Sequence, residues 1–291
     1  MRISELYQRP EPTISFEFFP PKTREAEDTL YREVVPGLKG LGASFISVTY
    51  GAGGGTRDST FRIVNTIRAE HNVEAMAHFT CVGATKESVR HELELAKQLG
   101  FDNLLALRGD PPKGQLDFKP SPDGFAYALD LIRFIKEHNH FCLGAACYPE
   151  GHVECAFKHA DWDRAALKVE AGAEFLITQL FYDPSDFLDM EDYLRHKRDV
   201  KVPIVPGILP FLSTEQIKRF TTLCGSKIPG PIRRRLEDLA KDDEAVRQYG
   251  IEICTENCRR LLDHGVAGLH FYCLNRLPSV TQIMKNLGLA K

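Results

Sequence analysis

The sequence has little of what marks several classes of protein. No window of it approaches the roughly 20 apolar residues that a membrane-spanning helix needs, and the amino terminus MRISELYQRPEP lacks the apolar segment of a secretion signal. Neither sign of charge dominates, because 37 Lys and Arg stand against 40 Asp and Glu and leave a net charge of −3. We therefore expect a cytoplasmic protein that binds no membrane and no nucleic acid.

The cysteines lack the spacing of a disulfide framework. There are eight of them in 291 residues, they form no CxxC pair, and several lie within apolar runs. In a chain of this length such usage predicts reduced, mostly buried thiols. Cys254 and Cys258 are four residues apart in a helical stretch, which would suit either a metal site or helix packing, and packing is the simpler interpretation.

Short apolar runs rich in β-branched and aromatic residues recur along the chain. Most of them start about 30 residues apart, which is the period of one strand and helix unit. The eight runs span residues 13–19, 44–50, 75–81, 103–109, 142–148, 175–181, 203–209 and 268–274.

Amphipathic stretches between these runs predict helices. Residues 85–100 begin at Thr85 and stop at Gly100, and the same signals bound 161–172 and 213–225. Strands that alternate with helices in this way run parallel, and eight of them favour an α/β fold, the (β/α)₈ TIM barrel, over an open doubly wound sheet. The long interval 213–266 predicts extra helices before the last strand, within one domain of residues 1–291.

Polar residues collect at the carboxyl ends of the predicted strands. In a (β/α)₈ barrel those ends form a shared cup that holds the reacting groups. The residues at or just past the strand ends are Glu17, Thr49, Tyr50, His78, Thr80, Arg108, Asp110, Tyr148, Glu150, His152, Gln179, Asp183, His270, Tyr272 and Asn275.

Glu17 lies in the apolar segment FEFFPP, where desolvation disfavours a charged carboxylate. Burial that raised the pKa of Glu17 to about 6.5 would leave roughly a quarter of it protonated at pH 7, which suits a general acid. An inward glutamate paired with an Arg inside the barrel would fit the same residues. The sequence alone leaves both interpretations open.

The segment ALRGDPP, residues 106–112, ends a strand in a loop that its two prolines stiffen. Arg108 could hold a phosphate, and Gly109 would let a flat ligand approach the backbone. The run GAGGGT at 51–56 fails as a dinucleotide fingerprint, because Thr56 or Asp58 stands where a third glycine is needed. We interpret that run as a pliable loop at the rim.

A zinc site is an alternative use of the rim. His78, His152 and His270 have Cys81, Cys147 and Cys273 nearby in the sequence. Strand residues two apart face the same way, and the odd spacing of Cys147 and Cys273 from many of the other candidates argues against convergence on one metal. A zinc-dependent barrel enzyme of methyl transfer or hydrolysis stays the alternative function, and a ligand carrier that has lost catalysis is a third.

Several motifs in one order carry a family resemblance. They are FEFFPPK at 16–22, VTYGAGG at 48–54, HFTC at 78–81, LRGDPP at 107–112, YPEGH at 148–152, ITQLFYD at 177–183, PGILP at 206–210 and HFYCLNR at 270–276. Together they resemble the catalytic domain of the methylenetetrahydrofolate reductases over nearly the whole chain. The resemblance implies an FAD-containing barrel that reduces 5,10-methylenetetrahydrofolate to 5-methyltetrahydrofolate with NADH or NADPH in a ping-pong sequence.

The resemblance also implies roles for individual residues. Glu17 matches the general acid that assists opening of the imidazolidine ring, and Asp110 matches an aspartate that contacts the pterin beside the flavin. Further positions match folate contacts and FAD contacts. The folate set is Gln179, Phe181, Tyr272 and Arg276; the FAD set is Thr49, Tyr50, His78, Arg108, Gly109, Tyr127, Tyr148, His152, Asp161 and Lys168.

The match departs from the family pattern after PGILP. The phenylalanine that stacks on the nicotinamide aligns with Thr214, which leaves Phe211 as a possible stand-in. Family members regulated by S-adenosylmethionine carry a further carboxyl-terminal domain, so we expect no regulatory domain and no such regulation here. Stand-alone members are similar to this chain, and the resemblance implies a homo-oligomer with no metal.

Overall fold

Parallel strands form the centre of the computed structural model, which describes residues 1–50, 57–110, 120–138, 140–239 and 242–290. Each strand pairs in parallel with the next strand along the chain, except that the seventh does not pair with the eighth, and the first pairs with the last. The strands are β1 Thr13–Phe18, β2 Phe45–Val48, β3 Glu74–Thr80, β4 Asn103–Leu107, β5 Cys142–Cys147, β6 Phe175–Thr178, β7 Ile204–Val205, β8 Gly207–Ile208 and β9 Gly268–Tyr272.

The barrel closes through a strand that Pro206 divides in two. β7 pairs with β6 and β8 pairs with β9, so the two short pieces occupy the place of one barrel strand. Proline has no N–H to give to a ladder, but its carbonyl still accepts from the His270 N–H at 3.0 Å. The eight predicted runs are thereby confirmed as the strands of a barrel.

Helices lie between the strands. In chain order they are α1 Ile3–Leu6, α2 Arg24–Thr29, α3 Val35–Gly40, α4 Arg57–His71, α5 Lys86–Gln98, α6 Ala128–Glu137, α7 Lys158–Glu170, α8 Pro184–Lys197, α9 Thr214–Cys224, α10 Gly230–Leu239, α11 Asp243–His264 and α12 Pro278–Asn286; a π-helical turn, Leu30–Val34, joins α2 to α3. No helix among the described residues is both long and apolar enough to cross a membrane.

Helix boundaries follow local hydrogen bonding. Thr85 and Ser88 form a capping box at the start of α5, each side chain accepting from the other's backbone N–H at 3.1 Å. Ser213 caps α9, which ends at Gly225 with φ at +72°. The helix predicted to start at Asp161 begins three residues earlier, at Lys158, because extended Phe157 is its cap residue. The extra helices before the last strand are confirmed as α9, α10 and α11.

Alternation along β1 sorts its side chains between two environments. Ile14, Phe16 and Phe18 pack in the hydrophobic layer between sheet and helices. Ser15 and Glu17 face the barrel interior, where both bond to His270. Period-two alternation therefore turns one apolar run into an outer core and an inner polar column.

An inner hydrophobic cluster fills the amino-terminal end of the barrel. Phe45, Met76, Leu105 and Phe175 belong to it together with buried residues of α1. The Ile3 N–H donates to Asn103 Oδ1 at 2.7 Å, which fixes α1 across the amino ends of the strands. The barrel interior is therefore filled by apolar side chains toward the amino ends of the strands and is polar toward their carboxyl ends.

Gly144 of β5 tests how tightly this interior is packed. A Cβ there would lie 2.5 Å from Phe175 Cε2 and 2.9 Å from Leu105 Cδ1. We expect Gly144→Ala to lower the free energy of unfolding in urea by about 1–3 kcal/mol, the usual result of overpacking. Gly40→Ala is the matched control, since a Cβ at Gly40 has no atom within 4 Å, and equal stability of the two variants would contradict the prediction.

Candidate active site

Glu17 sits at the centre of a polar cluster inside the barrel. Its Oε2 lies 3.0 Å from His78 Nε2 and 3.1 Å from His270 Nε2. The side chains are 11% exposed for Glu17, 8% for His78 and 0% for His270. One carboxylate oxygen of Glu17 therefore contacts two imidazoles, and all three side chains are largely shielded from bulk water.

Serine hydroxyls contact both imidazoles. Ser15 Oγ lies 2.8 Å from His270 Nδ1, on the side away from Glu17. Ser47 Oγ lies 2.7 Å from His78 Nε2, the nitrogen that faces Glu17, and also donates to Glu17 Oε2 at 3.3 Å. The Tyr272 hydroxyl donates to the Thr178 carbonyl at 2.6 Å, and its ring meets the His270 ring edge to face. These contacts fix both rings around Glu17.

The expected rise in the pKa of Glu17 is wrong in direction. Burial does favour the protonated form, but the neighbouring His78 and the hydrogen bonds from His270 and His78 lower the pKa of Glu17 below its ordinary value. The alternative prediction of an Arg partner for Glu17 is also wrong, because two histidines contact the carboxylate instead. The two imidazoles therefore favour the ionised form of Glu17.

A second group of predicted residues meets at the carboxyl end of β5. The Tyr148 and His152 rings pack edge to face with centroids 4.8 Å apart. Lys168 donates to the Ala146 carbonyl at 2.8 Å, and its ammonium lies 5.9 Å from the centre of the Tyr148 ring. Burial lowers the pKa of Lys168 and raises that of Asp161, although each charge opposes the shift of the other.

The end of β4 adds a guanidinium and a glycine to this group. Arg108 forms a two-pronged ion pair with Glu154, at 2.5 and 2.9 Å, which raises the pKa of Arg108. Glu154 is 55% exposed, so the pair contributes at most about 1 kcal/mol, and an anionic ligand could displace it. Gly109 has φ at +86°, and a Cβ there would lie 2.7 Å from Val82.

These residues suit a flavin dinucleotide. The hydroxyls of Thr49 and Thr80 are buried and have no hydrogen-bond partner among the described residues. Buried Lys168 has one modest partner, a carbonyl, and Arg108 is positioned to exchange its carboxylate for a phosphate. Unpartnered buried donors and acceptors are costly unless a ligand completes them, so the residues present fit FAD.

The remaining predicted site residues differ in their location and exposure. Gln179 directly follows β6, and its side-chain oxygen accepts from the Leu180 N–H at 2.8 Å. Asp110 and Arg276 are exposed, Tyr127 is 61% exposed beside α6, and Tyr50 is half-buried after β2. The glycine run 51–56 and the prolines 111–112 lie outside the described residues.

Two aromatic predictions are corrected by packing. Phe181 is 3% exposed and stacks on Phe187 of α8 in the outer hydrophobic layer, because the chain leaves the barrel direction after β6. Phe211 is 0% exposed, and its ring packs edge to face against Tyr182 and Tyr249. Neither ring is open to a planar ligand in this structure.

The three histidines of the zinc alternative separate into two places. His78 and His270 meet at Glu17, whereas His152 packs on Tyr148. Across the described ranges, no three His, Cys, Asp or Glu side chains are grouped to hold a metal ion. The eight cysteines are free, and Cys155 and Cys224 are the two that are not fully buried.

Glu150 is a carboxylate whose environment sequence reasoning missed. It follows β5 and accepts from the Lys227 N–H at 3.0 Å, while the Lys227 ammonium bonds Asp186 at 2.8 Å. Burial, with Asp186 and Asp183 nearby, raises the pKa of Glu150 to about 7 against the opposing effect of Lys227. Its position in YPEGH was the available signal, but Lys227 is 77 residues away in sequence.

Comparison with known families gives a match over nearly the whole chain. The family model described as methylenetetrahydrofolate reductase matches residues 2–288. A solved structure of a Clostridium thermocellum protein, described as binding two copies of 5-methyl-5,6,7,8-tetrahydrofolic acid, superposes with a TM-score of 0.62 at 20% identity. It covers 99% of this chain and 96% of that one. At that identity the likeness shows the fold alone.

Curated relatives extend the comparison. The chain is 36% identical over 280 residues to 5,10-methylenetetrahydrofolate reductase of Pectobacterium carotovorum, covering 94% of this chain and 90% of that protein. It is 42% identical over 286 residues to methylenetetrahydrofolate reductase (NADH) 1 of Zea mays, covering 94% of this chain and 48% of the plant protein. The chain thus spans about half the length of the plant relatives it matches.

The raised pKa of Glu150 predicts a pH dependence of stability. Between an unfolded value near 4.5 and a folded value of about 7, the folded protein binds the extra proton, so the free energy of unfolding falls as pH rises through this window. Glu150→Gln should remove that part of the decline in urea titrations from pH 5 to pH 8. Glu237→Gln, at an exposed position of α10, is the control, and a curve for Glu150→Gln that runs parallel to wild type would refute the assignment.

Proposed function

The chain belongs to the methylenetetrahydrofolate reductase family, and we propose that it reduces 5,10-methylenetetrahydrofolate to 5-methyltetrahydrofolate with FAD as cofactor and NADH or NADPH as hydride donor. The observation that carries the proposal is the Glu17 carboxylate, held by His78 and His270 inside a barrel at the predicted site of the general acid. A homo-oligomeric state and a cytoplasmic location stay predictions.

The ends of β2 to β5 supply the groups that would hold FAD. Thr49 and Thr80 present buried hydroxyls that have no partner among the described residues, and Gly109 adopts a positive φ against Val82 that a side chain would disfavour. Arg108 and Lys168 provide positive charge for the pyrophosphate, without a glycine fingerprint. When bound, FAD supplies hydride transfer between the nicotinamide and the folate.

Glu17 with its two imidazoles would deliver the proton. His78 Nε2 and His270 Nε2 lie 3.0 and 3.1 Å from Glu17 Oε2, within reach for proton transfer to the carboxylate. The folate nitrogen would take its proton from the Glu17 carboxyl as the imidazolidine ring opens. Because the pKa of Glu17 is lowered, the two imidazoles are the groups proposed to supply that proton.

Asp110 would stabilise positive charge on the opened folate. At 4 Å a unit charge pair is worth about 1 kcal/mol in bulk water and about 4 kcal/mol at an effective dielectric of 20. Because Asp110 is exposed, its attraction lies near the lower figure until bound ligands displace water from the mouth. Gln179 directly after β6 and Tyr272 at the end of β9, whose hydroxyl donates to the Thr178 carbonyl of β6, are the proposed folate contacts, with Arg276 in the loop after β9.

A zinc-dependent enzyme is the second candidate. The separation of His152 from His78 and His270 disfavours it, since the three imidazoles that would define the site lie with different partners. The proposed reductase uses both groups of residues, one for protons and one for the cofactor.

Anaerobic stopped-flow measurements on the purified chain test the function. We expect a yellow protein whose flavin absorbance bleaches with NADH or NADPH and returns on addition of 5,10-methylenetetrahydrofolate. Colourless protein that carries stoichiometric zinc and takes up no FAD would establish the alternative instead. A yellow protein whose reduced flavin is not reoxidised by the folate would indicate a carrier.

The substitution Glu17→Gln tests proton transfer separately from hydride transfer. The amide keeps the shape of the side chain but holds no transferable proton, so we expect FAD binding and flavin reduction within about twofold of wild type and folate reduction slowed at least about 100-fold. The measurement is the rate of each half-reaction in the same stopped-flow instrument. An unchanged folate half-reaction would remove the acid role from Glu17.

A further inference from the structure

Phe19 is an exposed aromatic residue beside the proposed acid. It is 47% exposed, whereas Phe16 and Phe18 of the same segment are 0% exposed. The inward positions of β1 are Ser15 and Glu17, and the alternation places residue 19 on that same side, just beyond the end of the strand. Phe19 therefore stands at the rim of the barrel above Glu17.

The backbone of Phe19 is held in place by one side chain. Asn275 Oδ1 accepts from the Phe19 N–H, and Asn275 Nδ2 donates to the Phe19 carbonyl, both at 2.9 Å. The hydrogen bond that precedes these two joins backbone to backbone, since the Cys273 N–H donates to the Glu17 carbonyl at 3.1 Å. The Asn275 amide thus continues the β1–β9 ladder by two hydrogen bonds after the backbone has turned away.

The loop after β9 adopts an unfavourable backbone to make this possible. Leu274 and Asn275 have φ of +50° and +60°, a left-handed region that Asn tolerates and Leu disfavours. Strain of this kind persists where the surrounding structure demands it, commonly at functional sites. Here the result is that the Phe19 backbone is fixed by two hydrogen bonds while its side chain is left exposed to solvent.

We propose that Phe19 is a substrate-contacting residue whose ring packs against the planar pterin of the folate, and that Asn275 is the positioning residue that holds it there. The inference rests on the proposed function. Glu17 must reach a nitrogen of the folate ring system, so the aromatic ring two residues further along the same side lies beside that ring system. Most of the groups proposed for FAD lie instead at the ends of β2 to β5, with Thr49, Gly109 and Tyr148 among them, whereas His78 of β3 contacts Glu17.

Direct binding of 5-methyltetrahydrofolate to the FAD-loaded protein, measured by calorimetry, tests Phe19 without turnover. We expect Phe19→Ala to weaken the folate Kd about tenfold, the scale of one lost aromatic contact, and Phe19→Tyr to stay within about twofold of wild type. FAD affinity and flavin reduction by NADH should change less than twofold in both. Leu95→Ala, which alters an exposed apolar residue of α5, is the control and should bind like wild type.

Asn275→Gly tests the positioning role, because glycine accepts the positive φ but removes both bonds to Phe19. We expect a folate Kd weakened about threefold or more in the single variant, and no further weakening when the change is added to Phe19→Ala. An unchanged Kd in Phe19→Ala, additive effects in the double variant, or loss confined to the NADH step would each overturn the inference. Wild-type protein that binds no folate would instead overturn the proposed function.

Discussion

The bond between Glu17 and two imidazoles is the constraint on which the rest of the site depends. A carboxylate in a barrel interior is strongly destabilising unless charged or hydrogen-bonding partners compensate it. His78 and His270 supply that compensation from the two sides of β1, since His270 lies on the adjacent β9 and His78 lies on β3, one strand beyond β2. The barrel must close correctly before the carboxylate is satisfied, so folding and assembly of the acid are one event.

Work at the mouth is divided between two arcs of the barrel. The ends of β1 and β9, together with His78 of β3, carry the groups proposed to handle the proton, and Phe19 directly follows β1. The ends of β2 to β5 carry the charges and the buried hydroxyls proposed to bind a dinucleotide. In that proposal, a half-buried lysine and a guanidinium whose carboxylate partner is exposed take the place of a glycine fingerprint.

Much of the architecture could be predicted because it rests on local patterns. Apolar runs at one period gave the strands, and Ser, Thr and Gly at helix ends gave α5 and α9 their bounds. The family motifs brought Tyr148, His152, Asp161 and Lys168 into one list, and the structure brings them to one strand end. The features that the sequence did not predict all depend on contacts between residues that are far apart in the chain. The direction of the pKa of Glu17 depends on partners 61 and 253 positions away, and the exposure of Phe181 and Phe211 depends on which helices pack over them.

The position of α1 across the amino ends of the strands determines from which end ligands can enter the barrel. With Ile3, Leu6 and Tyr7 buried against the inner cluster, the amino-terminal end of the barrel is filled, and the proposed substrates would have to approach Glu17 from the opposite end. The nicotinamide and the folate of the proposed reaction would then compete for the same space. Alternate binding of the two would follow from the closed amino-terminal end and would need no separate gate.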